Sequence, residues 1–201
     1  MSTNAWAMRN STLDVGPGHD KIDLRAMTRA GAFDPAYGMD NSSITSGPGE
    51  DKLRINAIAR GTTTDTIAAY GALDSQINTG ADNDQVHIRA SASNRRGYAE
   101  AVGLDNSVLE TENGDDLVRI HAHARGMSTN AWAMRNSTLD VGPGHDSVEI
   151  RGNALNSTVR TGEGFDSVKI TGLETQQLLV DTGAQDDELT VDGGTGITYL
   201  S

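Results

Sequence analysis

The chain has 201 residues, 36% hydrophobic and 4% aromatic, with 23 Gly, 4 Pro and no Cys; 16 Lys and Arg against 28 Asp and Glu give a net charge of −12. Zero Cys excludes a disulfide scaffold, a thiolate zinc site and a Cys nucleophile, and the deficit of basic residues argues against nucleic acid as a partner. No apolar run approaches the roughly 18 residues of a membrane span, and aromatic side chains are too few for a broad globular core, which favours an elongated or repetitive fold.

Reading from the start, residues 1–20, MSTNAWAMRNSTLDVGPGHD, have no Sec signal pattern and recur letter for letter at 127–146. A looser repeat lies beneath that copy. It reads NSTLDVGPGHDKIDLRA from Asn10, NSSITSGPGEDKLRINA from Asn41 and DSQINTGADNDQVHIRA from Asp74. It continues as NSVLETENGDDLVRIHA from Asn106, NSTLDVGPGHDSVEIRG from Asn136, NSTVRTGEGFDSVKITG from Asn156 and a degraded QLLVDTGAQDDELTVDG from Gln177. One Asp anchors each copy: Asp20, Asp51, Asp84, Asp116, Asp146, Asp166 and Asp187, separated by 31, 33, 32, 30, 20 and 21 residues.

After each anchor, apolar and polar residues alternate, as in Ile22/Leu24, Leu53/Ile55 and Val118/Ile120 around Asp23, Arg54 and Arg119. That period of two predicts a strand with one buried face. A second strand precedes the turn, with Leu13, Ile44, Ile77, Leu109, Leu139, Val159 and Val180 facing inward. A single unit cannot bury such small apolar faces, whereas stacked units bury them continuously. The expected fold is all-β: one right-handed parallel β-solenoid domain over 1–201, of about seven rungs and two- to three-sided. Residues 1–152 supply long rungs of about 31 residues, whose extra length is expected to make a third side, and 153–201 supply short rungs of about 20. With ~4.8 Å between strands the stack spans roughly 30–35 Å.

Between the two strands sits GPGHD, GPGED, GADND, ENGDD, GPGHD, GEGFD or GAQDD. Gly permits positive φ at a tight corner and Pro17, Pro48 and Pro143 pre-set the neighbouring φ. The pattern resembles the RTX (hemolysin-type) nonapeptide G-G-x-G-x-D-x-U-x, matched as x-G-x-G-x-D-x-U-x at Asp20, Asp51, Asp146 and Asp166. The leading Gly is absent throughout, the motif occurs once per rung, and Asp82, Glu112 and Gln185 stand where a Gly belongs. The resemblance implies a parallel β-roll that binds Ca²⁺ through the Asp carboxylate and turn carbonyls, in a secreted bacterial protein.

Two readings of the seven-Asp column compete. In one, each carboxylate accepts backbone N–H bonds in its own corner. In the other, Ca²⁺ neutralises carboxylates stacked ~5 Å apart, unless Lys21, Lys52, Arg54 and Arg119 offset their repulsion.

Other columns read as structural. Asn10, Asn41, Asp74, Asn106, Asn136 and Asn156 are expected to form a corner ladder of stacked amides. On the third side, Ala5/Ala7, Ala36/Gly38, Ala69/Gly71, Ala101/Gly103 and Ala131/Ala133 interleave with Trp6/Met8, Tyr37/Met39, Tyr70, Val102/Leu104 and Trp132/Met134. Either the large residues fill the core, the favoured arrangement, or they form an exposed docking stripe. Arg29, Arg60, Arg96 and Arg125 read as a solvated charge ladder with Asp34, Asp65 and Glu100 as counter-ions, rather than a carbohydrate or phosphate site. His121 and His123 share a strand face, which reads as exposed residues rather than a metal site.

No nucleophile–base pair or metal-ligand motif breaks the repeat, so no enzyme is expected, a polysaccharide lyase being the enzymatic alternative. The expected function is an extracellular or cell-surface structural or adhesive protein of bacterial type. Its partners would be further copies of itself, head to tail or side by side, or a surface glycan. The alternative is a Ca²⁺-binding module of a type I-secreted protein, folding only when the ion is bound.

Overall fold

The computed structural model describes residues 4–30, 35–172, 174–194 and 196–200, and the regular structure in them is entirely strand. Every strand pairing is parallel. Parallel neighbours cannot be joined by a tight hairpin, so each strand finds its partner one full turn of chain away. The protein is a parallel β-solenoid.

The strands that follow the Asp turn stack seven deep, in register from Ile22 through Leu53, Val86, Val118, Val148 and Val168 to Leu189. The strands before the turn stack likewise, from Leu13 through Ile44, Ile77, Leu109, Leu139, Val159 and Val180 to Tyr199. Their inward side chains meet in one apolar core running along the axis. Full-length turns number five rather than seven, because the last rungs lack the long return strand. That strand is Ala5–Arg9, Ala36–Asp40 and Ile67–Leu73 in the first three rungs. In the next two it is the second half of Gln85–Asp105 and of Leu117–Arg135.

The extra residues do not build a plain third wall. They lengthen the after-turn strand from five residues, as in Ser147–Arg151, to ten, as in Lys21–Ala30. The return strand packs across from that extension. Between them lies a second, thinner core of Ala26, Ala36, Ala57, Ala59, Ala69 and their stacked counterparts, with Ile67 among them.

The return strand answers the question of the large and small residues differently from either expectation. Ala36, Ala69 and Ala101 point inward and are fully buried. Trp6, Tyr37 and Tyr70 lie half-buried on the outer side and stack on one another with centroids 5.9 and 5.2 Å apart. Yet Met39, Leu104 and Met134, two residues on from the outward position, are buried in the main core. The alternation breaks at Gly38, Gly71 and Gly103, where the chain presses against the opposite strand. A Cβ on Gly38 would come within 2.2 Å of Ile55 Cγ2. Alanine takes this position at Ala7 and Ala133; beyond Ala133 the next rung is shifted in register, Trp132 facing Asn153 and Met134 facing Ala154.

Candidate functional site

The Asp turn is built by stacked glycine corners. Gly16, Gly47, Gly80, Gly142, Gly162 and Gly183 all have φ between 79° and 91°, a region that costs an L side chain roughly 1–2 kcal/mol. Stacking adds a steric reason: a Cβ on Gly142 would sit 1.8 Å from the carbonyl oxygen of Glu112 in the rung before. Where the sequence lacks the Gly, the backbone keeps positive φ: 82° at Asp82, 65° at Glu112 and 94° at Gln185. The strong parallel pairing on both flanks holds these residues in a conformation they would not choose alone.

This corner places all seven anchoring aspartates in one column, as their spacing predicted. Asp51, Asp84, Asp116, Asp146 and Asp166 are buried. The hydrogen bonds run between rungs rather than within each corner. The backbone N–H of Asp20 donates to Oδ1 of Asp51, and so on down the column through Asp84, Asp116, Asp146 and Asp166 to Asp187, at 2.7–3.0 Å. The second oxygen, Oδ2, is buried in all seven without a well-formed hydrogen bond, although the hydroxyls of Thr79, Thr111 and Thr161 lie near enough to Asp84, Asp116 and Asp166 to favour their ionised forms in part.

Burial in so poorly hydrated a corner disfavours the ionised form. It pushes Asp84 up to about 7, Asp116 to about 6 and Asp146 to about 8. Asp166 also moves up for the same reason, with the charge of Asp187 adding to it. The cations expected to offset the column do not reach it: Lys21, Lys52, Arg54 and Arg119 project from the outer face of the after-turn strands. Among the described residues no group of three or more His, Asp or Glu side chains converges as a metal cluster would. Each carboxylate from Asp51 to Asp187 therefore has one oxygen committed to an amide of the preceding rung, and its other oxygen is buried without such a partner. That pair of facts sets the chemistry of the column: it takes up protons, or it takes a cation that brings further ligands of its own.

The Asn column also forms as expected. Asn10, Asn41, Asp74, Asn106, Asn136 and Asn156 share φ of 46–49°, the left-handed corner that Asn and Asp tolerate best. Asn41 Nδ2 donates to Asn10 Oδ1 and Asn156 Nδ2 to Asn136 Oδ1, both at 3.0 Å. Beside it runs a serine ladder that the sequence reading passed over. The N–H of Ser42 donates to Ser75 Oγ, Ser75 to Ser107, Ser107 to Ser137 and Ser137 to Ser157, at 3.1–3.2 Å. The recurring Asn-Ser or Asp-Ser dipeptide was its signal.

The arginine ladder needs correction. Arg29, Arg60 and Arg125 do share a register, but the residue between the last two is Ser93, and Arg96 lies outside the column. Asp65 hydrogen-bonds with Thr63, and Glu100 takes bonds from Tyr70 and Arg135, so neither neutralises the ladder; Asp34 lies outside the described residues. Arg29, Arg60 and Arg125 belong instead to a larger basic surface. The outer face of the after-turn sheet carries Arg25, Arg89 and Arg151 in one column, Arg54, Arg119 and Lys169 in the next, and Lys21 and Lys52 beside the turn. Most of the chain's 16 basic residues thus share one face. The turn edge, with Glu50, Asp82, Glu112, Asp115, Glu163 and Asp186 all exposed, is acidic.

His121 and His123 both face outward on this surface. His121 stands edge-on to His87, 5.4 Å between centroids, and 3.4 Å from Glu149, but among the described residues these side chains do not converge as a metal site would.

No protein-family model matches the chain, and no curated protein does. A solved structure that it resembles is the X-ray crystal structure of a hyperactive, Ca²⁺-dependent, β-helical antifreeze protein from an Antarctic bacterium, at 18% identity and a TM-score of 0.37 over 98% of this chain and 80% of that one. At that identity and superposition the likeness carries no argument about what this chain binds, and the solenoid assignment rests on its own strand pairings.

Proposed function

We propose that the chain is a non-catalytic structural or adhesive β-solenoid of an extracellular or cell-surface protein, extended by stacking rung on rung. The observation that carries this reading is the pairing state of two identical sequences. Residues 131–135 are paired on both sides, with 101–105 before them and with 153–155 after them. Among the described residues, their copies at Ala5–Arg9 pair with Ala36–Asp40. The first-rung strand therefore carries a sequence that accepts a neighbouring rung on both sides elsewhere in the same molecule, and a parallel strand edge of this kind templates further pairing. The last rungs lack the alanine extension, so a second copy joining head to tail covers only the Asp-turn half of that edge. Sedimentation and electron microscopy across a concentration series test the reading. It predicts end-to-end species that shorten when Lys residues are placed at Trp6 and Met8; strictly monomeric particles at high concentration contradict it.

A second reading has its own observation behind it. Seven buried Oδ2 atoms without a well-formed hydrogen bond would be satisfied by Ca²⁺, whose hard oxygen ligands these are. A melting temperature that rises steeply with micromolar to millimolar Ca²⁺ and collapses in EDTA would establish the column as an ion site. Indifference to both would leave it as a purely hydrogen-bonded ladder.

A further inference from the structure

The outer face of the after-turn sheet is strongly basic, opposite in sign to the chain as a whole. From Lys21 to Lys169 it spans six stacked strands, roughly 24 Å at ~4.8 Å per strand. Its acidic residues do not cancel it. Asp23 is taken up by Arg25, and Glu149 is shared by Arg119, His121 and Arg151. Lys21, Lys52, Arg54, Arg60, Arg89 and Lys169 have no ion-pair partner among the described residues, and all are exposed. Two shallow clefts open on this face. One, of about 220 Å³, lies between Lys21, Lys52, Arg54, His87 and Arg119. The other, of about 410 Å³, is lined by Arg29, Arg60, Thr62, Ser93 and Arg95. The positive field is felt locally: after burial and the neighbouring His121, Arg54, Arg119 and Arg89 add to holding His87 below the ordinary imidazole range.

We propose that this face is a docking surface for an extended anionic polysaccharide, a chain of uronate or sulfated sugars lying along the basic columns. Three features favour that chemistry. Each rung from Lys21 to Lys169 presents at least one cation, and along a column cations recur every second rung, as in Arg25, Arg89 and Arg151 or Arg54, Arg119 and Lys169, a regular array that suits a linear polymer bearing charge at regular intervals. Hydroxyl- and amide-bearing residues, Asn56, Ser91, Ser93 and Thr171, interleave with the cations and match sugar hydroxyls. The outward positions of these strands hold no Phe, Tyr or Trp, and of the imidazoles there His87 and His121 are packed edge-on to each other, so unpaired bases would find only a poor stacking platform. Each exposed ion pair contributes little by itself, so a free monosaccharide anion does not bind measurably, whereas a polymer touching several rungs does.

The proposal does not depend on end-to-end assembly. The test is retention of the whole chain on an immobilised linear polyuronate in EDTA at low salt, with a neutral glucan of equal length alongside. Binding to the polyuronate alone, lost as salt rises, is expected. The combined variant Lys52→Gln, Arg54→Gln, Arg89→Gln, with an unchanged melting temperature, should bind at least about tenfold more weakly, since three of the multivalent contacts are gone. Asp115→Asn with Glu163→Gln on the acidic edge should leave binding unweakened. No retention at low salt, equal retention on neutral glucan, or indifference to the triple variant overturns the proposal. Tighter binding of single-stranded DNA assigns the face to nucleic acid instead. Salt-sensitive self-association abolished by the same triple variant, without polyuronate binding, assigns it to a second copy.

Discussion

The backbone N–H of Asp116 donates to Oδ1 of Asp146, one rung further along, at 2.8 Å, while Oδ2 of Asp146 lies buried with no partner. Each Asp from Asp51 to Asp187 is thus a backbone acceptor for its neighbour first and a charge second. Those two roles respond differently to pH and to substitution.

Asp84, Asp116 and Asp146 titrate at about 7, 6 and 8 in the folded chain, raised by burial above the 3.8 of a free Asp. The folded state therefore holds protons that the unfolded state releases. The stability these groups contribute is complete below about pH 4 and is lost as pH rises through their folded values. Without Ca²⁺, the melting temperature should fall steadily from pH 5 to pH 9, the reverse of ordinary acid denaturation. A melting temperature that rises over that range would show that the carboxylates are ionised and stabilised in the folded chain.

Asp146→Asn retains an acceptor for the Asp116 N–H and removes the ionisable group. It should leave stability near that of the parent at pH 5, raise it at pH 9 and flatten the pH dependence. Asp146→Ala strands a buried N–H and should cost about 1–3 kcal/mol at pH 5. Chemical denaturation of both variants at the two pH values separates the roles.

The glycine corners make a paired prediction. Gly142→Ala forces a methyl group to within 1.8 Å of the Glu112 carbonyl oxygen at φ 79°, and should cost more than about 2 kcal/mol. Glu112→Gly relieves an L residue held at φ 65° and should gain about 1 kcal/mol, even though the exposed bond from Asn78 Nδ2 is lost. Denaturation midpoints at constant slope check both.

Two arginines of identical local sequence should behave differently. Arg135 reaches back to the preceding rung, where Nε donates to Asp105 Oδ1 at 2.9 Å and Nη1 to Glu100 at 2.9 Å. Its removal strands the buried Asp105 carboxylate and should cost about 3 kcal/mol. Arg9 has no described preceding rung and lies over Trp6, 3.5 Å from Asp40, with its side chain 54% exposed. Arg9→Ala should cost about 1 kcal/mol or less. Equal effects would show that the first rung is covered in solution, as end-to-end stacking requires.

The columns were legible because each is a local rule repeated. Period-two alternation placed Leu109 and Ile120 inward, Gly at the corner required positive φ, and Asn or Asp at positions such as Asn41 and Asp74 marked a left-handed corner. The return strand was not legible in the same way. Tyr37 and Met39 stand two apart and should share a face, but Gly38, pressed against Ile55, breaks the alternation between them. The basic face was hidden by the net charge of −12, because summed charge has no direction. Arg54, Arg89 and Arg119 come together only when strands some thirty residues apart in sequence are stacked.

The duplicated segment divides the two contributions most sharply. Its sequence by itself determined the strand, corner, turn and strand of both copies, because those follow from backbone preference and alternation within twenty residues. Only the tertiary structure decided what each side chain experiences. Val141, Met134 and Leu139 are fully buried, whereas Val15 is 38% exposed and Met8 and Leu13 are only partly covered. Asp146 is pushed up to about 8 chiefly by burial, with Asp116 and Asp166 on either side adding to it. Asp20, at the same place in an identical sequence, sits half-covered with a neighbour on one side alone. Burial and electrostatic coupling depend on what lies across the rung interface, and in a solenoid that neighbour is always a distant part of the chain.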